Sequence, residues 1–397
     1  MGSGKKILFY VQYLGRGGVS VALKNVIDCL EENGFQCGVA LPYKEFLNHK
    51  LLFSVVPSKY FEVAVWDKVS VWNDETMCKG FLRFIIKVFN VFTGWKFYFY
   101  RARKIPHDVF VVFHVLGSEN WVRYSDRPTI GWLHGTVRSR KGLGSVLSKW
   151  VHSYILNKYA KLIAVSDDVS RAWSSAYHLK SRPETLLNIL NIDDIVCKGN
   201  EVQHEITHGS KKNFVFCGRM SHEKGLLRLL KCLVMLLRND RVAFDLWVIG
   251  NGGWYTEEKD IFAFLAQNKD IKKCVHILGY RDNPYKYMKA ADLLIVPSYE
   301  EGFGLVIWES LLMGCPVMAT DAGGCAEALH HGKWGRLVSN HDDAIYNGLK
   351  EYFRNPSTVM PQCGFDLIYR AICDANEHSR SRLVNEFNKL ANGNVKV

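Results

Sequence analysis

The sequence predicts an α/β protein built from two doubly wound parallel-sheet domains that face a central cleft. Three observations carry this expectation. Apolar strand-like runs alternate with amphipathic helical stretches, the pattern of parallel sheets covered by helices. The alternation is broken by a polar, charged and histidine-bearing segment at 196–212, and then resumes. The chain has 397 residues, which suits two or three domains.

In order, the first strand is expected at Ile7–Tyr13, followed by Gly15-Arg16-Gly17-Gly18 and a helix with apolar positions Val21, Val26, Ile27 and Leu30. Further strands are expected at Cys37–Leu41, Val109–His114, Thr129–Leu133, Leu162–Val165 and Leu186–Asn191. The second series has strands at Phe214–Cys217, Phe244–Ile249, Val275–Leu278, Leu293–Val296 and Pro316–Ala319. Helices at Leu226–Leu237, Glu257–Gln267 and Leu305–Met313 lie between them. The domain boundaries follow: 1–195, a linker at 196–212, 213–364, and a helical segment at 365–397 that packs back toward the first domain. In such sheets ligands bind at the carboxyl ends of the strands.

Composition removes several classes. With 48% hydrophobic residues the chain can bury real cores, so disorder is excluded as the main state. No fixed repeat of solenoid or propeller length occurs. The 11 cysteines include no Cys-x-x-Cys pair, which removes zinc ribbons and thioredoxin-type motifs. Cys29, Cys37, Cys217, Cys232 and Cys315 sit among apolar neighbours and read as small buried hydrophobes of a reduced cytosol. No secretory leader is expected at Met1–Gly4, and no uncharged apolar run of about 18 residues would span a bilayer. The net charge of +12 is lopsided: residues 1–200 hold 27 Lys+Arg against 16 Asp+Glu, and the remainder is almost balanced. A basic half suits nucleic acid, an anionic membrane or an anionic substrate.

The strongest chemical signal is Ser298-Tyr299-Glu300-Glu301-Gly302-Phe303-Gly304-Leu305-Val306-Ile307-Trp308-Glu309. A strand ends at Pro297, a glycine-bearing loop follows, and a helix begins. Loop amides at a helix N-terminus bind anions, and carboxylates beside them accept hydrogen bonds from sugar hydroxyls. This run, with Ala291-Asp292 before it and Gly314-Cys315-Pro316-Val317, Gly323-Gly324 and Glu327 after it, resembles the signature of family 4 retaining glycosyltransferases. The resemblance is detailed over 213–338 and looser over 5–195. It implies the GT-B fold, with two Rossmann-like domains and a nucleotide-sugar between them.

The resemblance also implies residue roles. Phe216-Cys217-Gly218-Arg219-Met220-Ser221-His222-Glu223-Lys224-Gly225 places two cations five apart after a strand, and in the family such an Arg and Lys hold the donor diphosphate. Preorganised cations stabilise the charge gained by a leaving diphosphate. No Asp-x-Asp motif introduces a divalent metal, so Arg219 and Lys224 are expected to take its role, with no cofactor. Glu301 would position the sugar and Glu309 the ribose. Gly302, Phe303, Gly304 and Leu305 would line the donor site. Gly17 and Gly18 would approach the diphosphate, and Arg16 the acceptor; the same loop nearly spells a dinucleotide fingerprint, with Ser20 in place of its third glycine. Gly250 in Gly250-Asn251-Gly252-Gly253, with Tyr280 and Arg281, would meet the nucleotide. His134, after a strand, either faces the transferred sugar and acceptor or is a satisfied structural histidine; His276 reads as structural. The family's Asn-Gly-Val-Asp appears here as Asn191-Ile192-Asp193-Asp194, which weakens a role for Asn191.

Phe81–Lys104 interleaves aromatics with cations at helical spacing. Arg83, Lys87, Trp95, Lys96, Arg101, Arg103 and Lys104 suit an interfacial helix on an anionic membrane; a buried core helix is the alternative. The expectation is thus a cytoplasmic glycosyltransferase, peripheral at the inner face of the membrane. It would move a hexose or N-acetylhexosamine from a UDP-sugar to a lipid-linked or lipopolysaccharide glycan of a surface polysaccharide. An epimerase or phosphorylase on the same fold is the enzymatic alternative. A nucleic-acid binder lacks any named reader module, so no nucleic-acid partner is expected.

Overall fold

A computed structural model describes residues 4–11, 17–41, 64–65, 106–115, 127–137, 143–207, 209–252 and 256–392. The segment 81–104 and Arg16 lie outside the described residues. By contact the chain divides into two units. One comprises Met1–Val165, Ser170–Ile189 and Ser379–Val397; the other comprises Ser166–Val169 and Leu190–His378.

The first unit holds a seven-stranded, wholly parallel sheet: β1 (Lys6–Tyr10), β2 (Gln36–Leu41), β3 (Ala64–Val65), β4 (Val109–Val112), β5 (Thr129–Leu133), β6 (Lys161–Ala164) and β7 (Glu184–Thr185). Their order is β3-β2-β1-β4-β5-β6-β7. β4 and β5 are buried along their whole length, as central parallel strands covered on both faces must be. Phe9 of β1 packs edge-on to Phe113 at 6.0 Å and stacks with Phe387 at 6.4 Å.

The second unit holds six parallel strands: β8 (Lys212–Cys217), β9 (Phe244–Ile249), β10 (Val275–Gly279), β11 (Leu293–Val296), β12 (Val317–Thr320) and β13 (Arg336–Val338), in the order β10-β9-β8-β11-β12-β13. Its core joins Phe214, Phe244, Leu229, Leu233, Ile345 and Leu349. His276 is structural here: Nε2 lies 3.0 Å from Asp245 Oδ1 and the ring stacks on Trp247 at 4.2 Å. The strand order reverses between β1 and β4, and again between β8 and β11.

The fold differs from the expectation at three points. Leu186–Asn191 is not a strand; only Glu184–Thr185 pairs with β6. Leu186 N still donates to Ala164 O at 2.9 Å, but at Ile189 and Leu190 side chains meet the main chain instead. Asn25 Nδ2 donates to the Ile189 carbonyl at 2.8 Å, while Asn376 accepts from Leu190 N at 2.8 Å and donates to Leu190 O at 3.1 Å. Second, the stretch read as a linker from 196 begins inside a helix, Ile192–Gly199, capped by Asn191, whose Oδ1 accepts from Asp194 N at 3.2 Å. Third, two strands, β3 and the last strand, β13, are additions to the expected set. The C-terminal helix, Phe365–Ala391, belongs to the second unit up to His378 and to the first from Ser379. In the first unit its Arg382 donates to the Thr185 carbonyl at 3.0 Å, and Lys161 bonds Glu386.

Candidate functional site

The switch point of the second sheet brings the ends of β8 and β11 side by side, where ligands of doubly wound sheets bind. Past β8, Gly218 N donates to Ile249 O at 2.9 Å, and Gly250 N donates to Gly279 O at 2.9 Å, so three strand ends are tied together. Asn251 Oδ1 accepts from Tyr280 N at 2.7 Å and fixes the turn after β10. Arg281 is exposed beside it, its Nη1 3.5 Å from the Tyr280 carbonyl.

Arg219 and Lys224 both follow β8, but they are held differently. Arg219 is 46% exposed and pairs with Glu223 Oε1 at 2.8 Å. Ser221 Oγ donates to the same oxygen at 2.7 Å. The Glu223 carboxyl is raised by partial burial, but the Ser221 bond, its own main-chain N–H and the two cations outweigh this and hold it below its ordinary value. Lys224 turns inward, and its Nζ lies 2.7 Å from Glu301 Oε2, with the two side chains only 24% and 11% exposed.

The loop carrying Glu301 is braced from both sides. Tyr299 N donates to Glu223 O at 2.8 Å, joining it to the Arg219–Lys224 turn. Arg228, almost fully buried, bonds Asp342 at 2.8 Å and Asn340 at 2.7 Å, and its guanidinium covers the Tyr299 ring at 4.0 Å. Asn340 returns a bond to the Tyr299 carbonyl at 3.0 Å. Two glycines permit the close approach. Gly225 (φ +71°) would place a Cβ 2.0 Å from Pro297 O, and Gly323 (φ +56°) 2.0 Å from Glu301 O. No L side chain fits either position.

Gly302 and Gly304 lead into the helix Leu305–Leu312. The Phe303 ring is buried edge-on to Trp308 at 4.9 Å, so Phe303 can serve a ligand only through its main chain. Glu309 lies on the helix with a partly exposed side chain, but dense surroundings strip water from its carboxyl and push it up to about 7. It makes no hydrogen bond to a described residue, which leaves its oxygens free to accept.

In the first unit, Gly17 caps the helix Gly18–Glu32 in extended conformation; Ser20 N and Val21 N donate to its carbonyl at 3.0 and 3.2 Å. His134 follows β5. Burial, then the neighbouring His114, pushes its imidazole down to about 3 against a bond to the Phe113 main chain. The ring packs on Phe113 at 4.6 Å, and Nε2 has no partner among the described residues. His134 is therefore a neutral imidazole.

Sequence reasoning named Arg219, Lys224, Glu301 and Glu309 and missed Glu223, Arg228 and Asn340. The signal for Glu223 was its i+4 spacing from Arg219. Arg228 and Asn340 are linked across 112 residues and leave no local signal. Among the described residues, no group of three or more His, Cys, Asp or Glu could hold a metal ion, and no helix is long and apolar enough to cross a membrane.

Residues 211–355 match the family model described as Glycosyl transferases group 1. A D-inositol 3-phosphate glycosyltransferase of Corynebacterium jeikeium is 37% identical over 131 residues, covering 32% of this chain and 31% of its own. The chain thus matches about a third of the length of such curated relatives. An uncharacterized glycosyltransferase of Methanocaldococcus jannaschii, MJ1607, is 23% identical over 361 residues, covering 86% of this chain and 83% of its own. Among solved structures, Anabaena Alr3699/HepE in complex with UDP and glucose aligns with a TM-score of 0.67 at 19% identity, covering 97% of this chain and 98% of that one. Sucrose-phosphate synthase from Thermosynechococcus elongatus gives 0.71 at 15% identity, with 97% and 99% coverage. The two parallel-sheet α/β domains are those of GT-B glycosyltransferase structures.

Proposed function

We propose that this protein is a retaining glycosyltransferase that moves a hexose or N-acetylhexosamine from a UDP-sugar to a lipid-linked or lipopolysaccharide glycan. The observation that carries the reading is the Lys224–Glu301 pair at the β8/β11 switch point, inside the stretch that matches group 1 glycosyl transferases. The Anabaena protein, solved in complex with UDP and glucose, supports the donor class.

In this mechanism Arg219 and Lys224 bind the diphosphate and stabilise the charge it gains on leaving. Glu301 accepts from a sugar hydroxyl and Glu309 from the ribose. The acceptor hydroxyl attacks the anomeric carbon from the face the diphosphate leaves. The new glycosidic C–O bond forms as the C–O bond to phosphate breaks, and the hydroxyl proton passes to the departing phosphate oxygen. No protein nucleophile and no metal ion is required. His134, neutral, would orient a hydroxyl rather than carry charge. The enzyme acts at the inner face of the membrane, where its basic N-terminal half and the 81–104 segment, outside the described residues, would meet anionic lipid. The Corynebacterium relative, a D-inositol 3-phosphate glycosyltransferase, favours a second acceptor, a phosphorylated polyol.

The test is transfer from UDP- and GDP-sugars to glycolipid extracts and to inositol phosphate, with product anomers read by NMR. A product of inverted configuration overturns retention, and activity abolished by EDTA overturns the metal-free step. Release of free UDP-sugar isomers without any acceptor would mean an epimerase instead.

A further inference from the structure

The helix Leu143–Leu156, between β5 and β6, buries Ser153, Ile155 and Leu156 against its unit. Over its last two turns the outer face is not polar. Trp150 is 62% exposed, Val151 45% and Tyr154 57%, three of the four exposed bulky apolar side chains among the described residues of the first unit. Trp150 and Tyr154, four residues apart, share one side of the helix, and Lys158 lies in the turn just past its end. Lys158 Nζ lies 5.0 Å from the Tyr154 ring centre, and the Trp150 ring lies 5.5 Å from that of His178. From Arg127 to Ser166 the sequence carries seven Lys or Arg and no Asp or Glu; Lys149 and Lys158 flank this face, whereas Lys161 is paired with Glu184 and Glu386.

We infer that Trp150, Val151 and Tyr154, flanked by Lys149 and Lys158, form a docking face that seats in the headgroup layer of an anionic bilayer. The inference rests on the membrane-borne acceptor of the proposed function. Trp and Tyr favour the membrane–water boundary because their rings are apolar with one polar tip. Lysines beside them lay their stems on the apolar layer and their charge among lipid phosphates. A contiguous exposed apolar patch calls for a partner. The charge selects which one: Lys149 and Lys158, with no acidic residue from 127 to 166 to offset them, would repel their own copies about a two-fold axis, whereas anionic lipid neutralises them.

The test is co-sedimentation of the full chain with phosphatidylcholine vesicles and with vesicles containing phosphatidylglycerol, beside sugar transfer on the same samples. Wild type should pellet with the anionic vesicles and stay in solution with the neutral ones. The pair Trp150→Ser and Tyr154→Ser should lower partition about 10-fold or more. Lys149→Glu with Lys158→Glu should do the same for anionic vesicles alone. Trp150→Phe with Tyr154→Phe should retain docking. Unaltered pelleting of the serine pair overturns the inference, as does wild type that ignores anionic vesicles. A drop in sedimentation coefficient of the serine pair without lipid also overturns it, since the face would then join two copies. A protein that docks as expected yet transfers no sugar leaves this face standing and overturns the proposed function instead.

Discussion

The ammonium of Lys224 lies 2.7 Å from Oε2 of Glu301, joining positions 77 residues apart. Both side chains are largely withdrawn from water, so the pair is worth more than a surface contact and each partner is exposed to loss of the other. In the proposed cycle the donor diphosphate competes for this ammonium and so frees the carboxylate for a sugar hydroxyl.

Lys224→Ala and Arg219→Ala should each lower turnover by about 10²-fold or more, through lost stabilisation of the leaving diphosphate. They should differ in stability. Lys224→Ala leaves Glu301 short of its cation and should lower Tm, whereas Arg219, at 46% exposure, should be removable without thermal cost. Steady-state kinetics and thermal unfolding of both variants check this, and equal Tm losses would count against it.

Glu301→Gln should damage transfer more than it damages binding of free UDP, because this carboxylate faces the sugar in our reading. Glu309→Ala should weaken UDP itself, by about 10-fold for the lost charged hydrogen bonds. Calorimetric UDP titrations beside transfer rates separate the two, and equal loss of UDP affinity in both variants refutes the division.

Glu309 also predicts a pH signature. Its carboxyl, pushed up to about 7 by burial, accepts from a ribose hydroxyl best when ionised, so UDP affinity should rise with pH through about 7. Its effect on stability has the opposite sign. The folded state holds the proton more tightly than the unfolded chain, so stability should fall as pH rises from the ordinary glutamate range to about 7. Glu309→Gln should flatten both dependences; calorimetry and unfolding across that window measure them.

Gly225→Ala and Gly323→Ala should each cost about 1–3 kcal/mol, since both need left-handed backbone and both Cβ atoms would lie 2.0 Å from a carbonyl oxygen. Each should also depress transfer, because those carbonyls belong to Pro297 and Glu301 of the loop between β11 and the Leu305–Leu312 helix. Full activity of either variant would show that the loop tolerates displacement.

Strands buried on both faces were legible because their residues are continuously apolar; Leu293–Val296 is found where the sequence puts it. Leu186–Asn191 looked the same and failed. Its burial comes with no neighbouring ladder, and the side chains that satisfy it, Asn25 and Asn376, lie far away in sequence. The helix at Ile192–Gly199 could have been read, since Asn191 followed by two aspartates is a capping signal. Arg219, Lys224, Glu301 and Glu309 stood out because local text announces loops at strand ends. What Arg228 and Asn340 do was hidden, because their contacts are made only once distant loops meet.

The helix Phe365–Ala391 gives its last turns to the first unit, where Phe387 stacks on Phe9 and meets Phe35 at 6.4 Å. The first unit is therefore closed by side chains that are synthesised only after the whole of the second unit. A fragment cut at residue 195 would expose an aromatic hollow around Phe9, and a nascent chain must keep that hollow from aggregating until Phe387 has been made. Independent expression of this half requires residues 379–391 to be spliced back onto it, and a circular permutation that moves them ahead of β1 would let it fold while the rest of the chain is still being made.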